Sequence, residues 1–380
     1  MRVLAISGLA AGALGAGLAV AYATGVMQLV WSGYPPAVWP ASGAYEIVEG
    51  AAPPVEKATP SGVLNPRGQE LFNRSGSRAL LAARSGETEL AIYADGYGAD
   101  TRFNSFSLVK SLVGVLVLKA QSDGKIKSLD DPLGTYLPDL GPDSLRRVTI
   151  RAFLEMRSGL DFEPDGSAKE DKLAAINPFG NLAKLHGGGL SAVEDRLEVV
   201  PESRGEFAYQ NVNTAILGRL LSTLYGKPLR EILSEEIWRP SGAADAFWLR
   251  HEDGTEVPAY CCLFATPEDW IRVGGYLMRN GSPADPFLRP DLWQDFFGKA
   301  HGRRELAKGV YGLHVRHDIL DRQGEVLQGP FTYMMGQGGQ VVYMMPEKDL
   351  VVVRFGEEHA LLHSTLYALW NSFPDATDQN

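Results

Sequence analysis

The stretch from Arg102 to Gly124, RFNSFSLVKSLVGVLVLKAQSDG, places Ser107 and Lys110 three residues apart at the start of a helix that then becomes apolar on nearly every side. A surface helix shows one apolar stripe, so a helix apolar all round is predicted to be central and buried. Spacing of i to i+3 stacks two side chains on one face, which lets the Lys110 amine reach the Ser107 hydroxyl. A serine at a helix start also has amide N–H groups beside it. Serine alone is a poor nucleophile at neutral pH, and a lysine whose charged form is disfavoured by burial can serve as its base. Asp123-Gly124 then marks the helix stop.

Strands are predicted towards both ends of the chain. The runs ALLAAR (79–84) and ELAIYA (89–94) flank Ser85-Gly86-Glu87, the pattern of a hairpin with a tight polar turn. Downstream, GGQVVYMM (338–345) and DLVVVRF (349–355) flank Pro346-Glu347-Lys348 as a second, strongly β-branched hairpin. HALLHSTLYALWNSF (359–373) follows with helical period. Between the hairpins the chain reads as mostly helix and loop, with helices over Asn211 to Leu224 and Pro267 to Arg279. The expected fold class is therefore α+β with a helical insertion: an α/β part at about 61–125 and 250–375, and a helical part at about 126–249.

The pattern S-x-x-K would arise about 0.7 times by chance at this content of serine and lysine. It occurs again at Ser122-Asp123-Gly124-Lys125, where the Asp-Gly turn leaves the pair solvated. Two further elements add weight to Ser107 and Lys110. Tyr209-Gln210-Asn211 introduces a helix, and Gly336-Gln337-Gly338-Gly339-Gln340 leads into an apolar strand where glycine permits close approach of a substrate to the backbone. Taken singly, these are also the marks of an N-cap serine, a packed tyrosine and a glycine-rich bend.

Together and in this order, the three elements resemble the serine β-lactamase and penicillin-recognising superfamily, in its class C and esterase-like branch. FNSFSLVKSLVGVL, YLPDL, LEMRSGLDF, GEFAYQNVN and GQGGQVVYMMPEKDLVVV look most like the 6-aminohexanoate-dimer hydrolase group of amidases and esterases. The resemblance extends over about residues 61–375 and implies a β-lactamase-like (DD-peptidase-like) antiparallel sheet flanked by helices. It also implies that Ser107 is the acylated serine, Lys110 its partner base and Tyr209 a proton relay. Asn211 would hold Lys110 and touch substrate. Gln337-Gly338-Gly339 would be the third motif on the sheet edge, with the Ser107 and Gln340 amides forming an oxyanion hole. True β-lactamases carry a lysine or histidine and a hydroxyl where this chain has Gln337 and Gly338, so weak β-lactamase activity at best is expected. The implied reaction is cleavage of an amide or ester bond of a small molecule, with no cofactor and no metal. Alternatives are a D-amino-acid peptidase, a weak penicillin-binding cell-wall enzyme, and a non-catalytic membrane-tethered binding module.

Other function classes fit poorly. With 36 Lys plus Arg against 46 Asp plus Glu, the net charge of −10 lacks the electrostatic footprint of a nucleic-acid binder. No serine sits in a Gly-x-Ser-x-Gly elbow, which disfavours an α/β-hydrolase. His359 and His363 are one helical turn apart, but Ala360 stands where a zincin needs glutamate. His314 and His317 are expected at the surface. The two cysteines, Cys261 and Cys262, are adjacent, which leaves no long-loop disulfide and no metal cluster. Asp161 to Val200 is long enough to include a loop over the cleft.

Val3 to Trp31 is nearly all apolar or small, long enough to cross a bilayer. It reads as an uncleaved anchor, favoured over a signal peptide ending at Ala21-Tyr22-Ala23. With Arg2 inside, the remainder would be extracytoplasmic, in a bacterial periplasm. Residues 32–60, rich in Ala, Pro and Gly, read as a tether, and the folded body as starting near Ser61.

Overall fold

The computed structural model describes residues 36–41, 43–51, 62–162, 180–251, 256–297, 311–317 and 332–357. The predicted anchor and the predicted last helix lie outside them. Among the described residues no helix is long and apolar enough to cross a membrane.

The strands in chain order are β1 (Tyr45–Val48), β2 (Ser77–Arg84), β3 (Glu87–Tyr93), β4 (Phe103–Asn104), β5 (Ala246–Leu249), β6 (Leu263–Ala265), β7 (Gly281–Ser282), β8 (Asp285–Pro286), β9 (Tyr311–Gly312), β10 (Val315–His317), β11 (Thr332–Gly336), β12 (Gln340–Met345) and β13 (Leu350–Gly356). A seven-stranded antiparallel sheet runs β3-β2-β13-β12-β11-β10-β9, a second sheet runs β1-β5-β6-β4, and β7 pairs with β8. Both predicted hairpins form. At the first, Ser85 and Gly86 take positive φ, the combination that matches a two-residue turn to strand twist. β13 then pairs with both β12 and β2, joining the two ends of the chain in one sheet.

The described helices of eight or more residues are α1 (Pro66–Arg74), α2 (Val109–Ser122), α3 (Asn181–Gly188), α4 (Asn211–Tyr225) and α5 (Pro267–Met278). Strand side chains alternate between faces, so the large sheet feeds two cores. Leu81, Val342, Met344, Val351 and Val353 join α2 and α5 in the main core. Leu80, Ala82, Val341, Tyr343 and Val352 pack with Leu64 and Phe72 on the opposite face. α2 is as central as its pattern demands, with Val109 through Leu118 all buried. α5 starts at a capping box in which Thr266 and Asp269 exchange hydrogen bonds, ahead of Pro267 at the first helical position.

The tether reading fails over part of 32–60. Tyr45–Val48 pairs with β5, and Trp39 stacks on Phe247 with ring centroids 4.7 Å apart. A four-residue strand is too short to show a period, and it forms because the edge of β5 and an aromatic surface receive it. The surface placement of His314 and His317 also fails, since both are 1% exposed. Finally, Cys261 and Cys262 form a disulfide with each other. Adjacency removes the long loop but not the bond.

Candidate active site

Within Phe103 to Leu118 only Ser107 is not buried. It sits in a 3-10 turn, Phe106–Leu108, that leads into α2. Phe106 holds a positive φ of 44°, a conformation costing on the order of 1–3 kcal/mol for a non-glycine residue. Neighbouring bonds hold it there. The Phe106 amide donates to Asn104 Oδ1, and Ser105 Oγ donates to the Phe106 carbonyl. Ser105 is fastened in turn to β6, donating its amide to the Leu263 carbonyl while its hydroxyl accepts from the Leu263 amide.

Lys110, on the first turn of α2, is 1% exposed. Its Nζ lies 2.8 Å from Ser107 Oγ and donates to the Tyr260 carbonyl at 2.9 Å. The same nitrogen stands 5.2 Å from the centre of the Tyr209 ring and 5.6 Å from that of Tyr260. Tyr209 comes just before α4, and Asn211 opens that helix. The structure thus brings Ser107, Lys110 and Tyr209 to one point from segments a hundred residues apart. Sequence reasoning missed the Tyr260 carbonyl, which no local pattern signals.

The third element arrives on the sheet. Gly336 ends β11 opposite Gln340, which opens β12, and Gln337–Gly339 forms the turn between them. Both strands pack against the turn that carries Ser107. A Cβ on Gly336 would fall on the Ser105 carbonyl, so glycine is what lets β11 come this close. Gln337 is exposed, whereas Gln340 is buried and its side-chain amide exchanges two hydrogen bonds with the Gly356 backbone. Arg354, also buried, donates to the carbonyls of Gly338 and Gly339 and, on its other side, to the Ser75 carbonyl and Ser77 Oγ. An arginine inside a strand gives no sequence sign that it fixes a turn sixteen residues away.

The hairpin of β9 and β10 closes one side of the cleft. Tyr311 meets the Tyr209 ring edge-on at 5.8 Å. His314 anchors the hairpin: its Nδ1 donates to the Leu154 carbonyl and its Nε2 accepts from Thr214 Oγ1. In the neutral imidazole only one nitrogen donates, so with Nδ1 on the Leu154 carbonyl it is Nε2 that accepts. Burial lowers its pKa to about 4, with the Leu154 bond opposing and Lys110 reinforcing the shift. His186, at the end of α3, is lowered to about 3 by burial and then by His251 and Lys110, and its Nδ1 meets the Tyr260 hydroxyl. His186 is only half-buried by area, so solvent screening reduces its share.

A group whose folded pKa lies below its unfolded value gives stability that is complete above the unfolded pKa and is lost as the pH falls towards the folded one. Stability is therefore expected to decline from about pH 6.5 towards pH 4, by up to about 1.4 kcal/mol per pH unit for His314. Thermal melts from pH 7.5 to 4.5 test this. His314→Gln should melt lower at pH 7.5 yet decline less steeply, and a wild-type midpoint that rises with acid would show the sign to be wrong.

A larger cavity of about 330 Å³ lies on the far side of Tyr260, among Ala215, Arg219, Arg230 and Glu256. It does not include Ser107. Among the described residues no group of three or more His, Cys, Asp or Glu side chains could hold a metal ion.

The β-lactamase family model matches residues 70–357. The 6-aminohexanoate-dimer hydrolase of Paenarthrobacter ureafaciens is 22% identical over 281 residues, 73% of this chain and 71% of that one. A Bacillus anthracis protein provisionally assigned as a 6-aminohexanoate-dimer hydrolase superposes with a TM-score of 0.67 at 20% identity, covering 87% of this chain and 90% of that one. A D-stereospecific amidohydrolase from a Streptomyces species superposes with a TM-score of 0.59 at 17% identity, covering 81% and 99%. The fold is thus β-lactamase-like, as the sequence resemblance implies. With three quarters of its length matched by that family model, the chain belongs to the β-lactamase family.

Proposed function

We propose that this protein is a serine hydrolase that cleaves an amide or ester bond of a small molecule through an acyl-enzyme on Ser107. The observation that carries the reading is the 2.8 Å contact between Lys110 Nζ and the part-exposed hydroxyl of Ser107, made by a lysine that is itself buried. In its neutral form Lys110 takes the Ser107 proton as Oγ attacks the carbonyl carbon. Tyr209, beside the same nitrogen, passes a proton to the leaving group and later helps to activate water. Asn211 positions this pair. The amides of Ser107 and Gln340 receive the oxyanion, each worth about 2.7–4 kcal/mol of barrier lowering. Gln337, Gly338 and Gly339 shape the substrate edge, and Arg354 keeps their turn in place. The match to the 6-aminohexanoate-dimer hydrolase supports the hydrolase assignment. The apolar segment Val3 to Trp31 supports an extracytoplasmic site of action.

The test is the intact mass of the protein after exposure to a fluorophosphonate. One adduct per chain is expected, mapped by peptide sequencing to Ser107. An unmodified folded protein would move the assignment to a binding module.

A further inference from the structure

The chain enters the fold over a short, fastened stretch. The Asn104 amide donates to the Ala37 carbonyl at 2.9 Å, the Asn104 side chain donates to the Pro36 carbonyl at 3.1 Å, and the Trp39 amide donates to the Arg102 carbonyl. Pro36 is thus tied to β4, and only Ser32, Gly33, Tyr34 and Pro35 separate it from the apolar segment Val3 to Trp31. An extended chain advances at most about 3.6 Å per residue, so the steps from Trp31 to Pro36 reach no further than about 18 Å. The headgroup layer on one side of a bilayer is itself about 5–8 Å deep. A body joined this closely to a membrane span has no room to stand far from the lipid.

The face beside this entry point is apolar. β1 and β5 pair with Tyr45 opposite Leu249 and Ile47 opposite Phe247. Alternation puts these four side chains on one face of the small sheet, and Val48, Ala246 and Trp248 on the other, in the main core. Trp39 lies on the outer face, stacked on Phe247 and edge-on to Tyr45 at 4.7 Å. Tyr45 and Ile47 are each 44% exposed, so water meets a ring and a branched chain side by side. Arg102 lies over the Phe247 ring, 5.0 Å from its centre, and among the described residues it makes no ion pair. The acid on β1, Glu46, is neutralised by Arg230 and Arg250.

Trp and Tyr have an apolar body with a polar edge, which suits the level of the lipid headgroups, and the planar arginine fork matches phosphate. An uncompensated cation among aromatic rings is complementary to that layer. It is poorly suited to a second copy of the chain, because a two-fold contact sets the same patch on both sides and brings the cation in twice.

We propose that the outer face of β1 and β5, with Trp39 and Arg102, docks on the headgroup layer of a phospholipid bilayer, a second membrane contact made by the folded body itself. This rests on the reading of Val3 to Trp31 as a membrane span. Ser107 follows Asn104 by three residues, so docking holds the cleft at a set height above the lipid.

The test uses the full chain in vesicles of phosphatidylethanolamine and phosphatidylglycerol. Cys261 and Cys262 are bonded to each other, so an introduced cysteine is the free thiol for a nitrobenzoxadiazole label. Ile47→Cys is compared with Ser282→Cys, an exposed position on β7 beyond the far end of α5 from β6. Lipid carrying a nitroxide is expected to quench the label at 47 several times more strongly than the label at 282, because a docked face lies within about 5–10 Å of the headgroup and acyl boundary. Adding Arg102→Glu to Ile47→Cys should weaken that quenching, and quenching that it leaves intact overturns the proposal. An alkaline carbonate wash reads the span separately. If the chain stays with the lipid and the two labels are quenched alike, docking is overturned and the span stands; if the wash releases the chain, both readings fall. A label at 47 shielded from aqueous iodide yet unquenched by the lipid nitroxide is covered by protein, which also overturns the proposal.

Discussion

Ser107→Ala is expected to lower kcat/KM for any ester or amide that the wild-type chain cleaves by about 10⁴-fold or more, with the fold intact. The removed atom is the hydroxyl that lies 2.8 Å from Lys110 Nζ, the one that forms the acyl bond in the proposed reaction. The substitution is mild structurally. Ser107 is part-exposed, its turn is held by Asn104 and Ser105, and Lys110 keeps its bond to the Tyr260 carbonyl. Stability should therefore change by no more than about 1 kcal/mol. Rates measured on protein of confirmed melting temperature would show it; a variant retaining a tenth of wild-type activity would sink the mechanism.

Lys110→Met is expected to separate activity from stability. Without the amine the Ser107 proton has no acceptor in place, and kcat should fall by about 10³-fold or more. Yet the lysine is almost wholly buried, and burial of an ammonium opposes folding. Methionine has nearly the same length and is apolar, so it fills the same space in the main core without that penalty. The Tyr260 carbonyl loses a donor, which offsets part of the gain. A melting temperature equal to or a few degrees above wild type is the expected outcome. A fall of more than about 8 °C would instead identify Lys110 as a structural clamp between α2 and the Tyr260 segment.

The parts of the fold that could be read from sequence are those whose signal is local. The apolar surround of α2, the alternation around Ser85-Gly86 and the β-branched run of β13 each need only their own residues to be interpreted. What escaped notice depends on distant partners. The His314 ring is polar and looks like a surface residue until Leu154 and Thr214, 160 and 100 positions away, satisfy both of its nitrogens. Tyr45–Val48 becomes a strand only against β5. The Tyr260 carbonyl reaches Lys110 across 150 positions, and a backbone atom leaves no trace in residue identity.

The disulfide between Cys261 and Cys262 acts on a different scale from an ordinary crosslink. Bridges raise stability chiefly by shortening the loops open to the denatured chain, and the gain grows with loop length. A bridge between neighbours encloses no such loop. It instead closes a small ring around one peptide unit, with Cys262 held at a φ of 76° and the Cys261 carbonyl accepting from the Trp248 indole. The Tyr260 carbonyl, on which Lys110 leans, immediately precedes this ring in the chain. The segment beside that carbonyl is thus constrained covalently as well as by its packing. The covalent constraint is encoded by two consecutive codons.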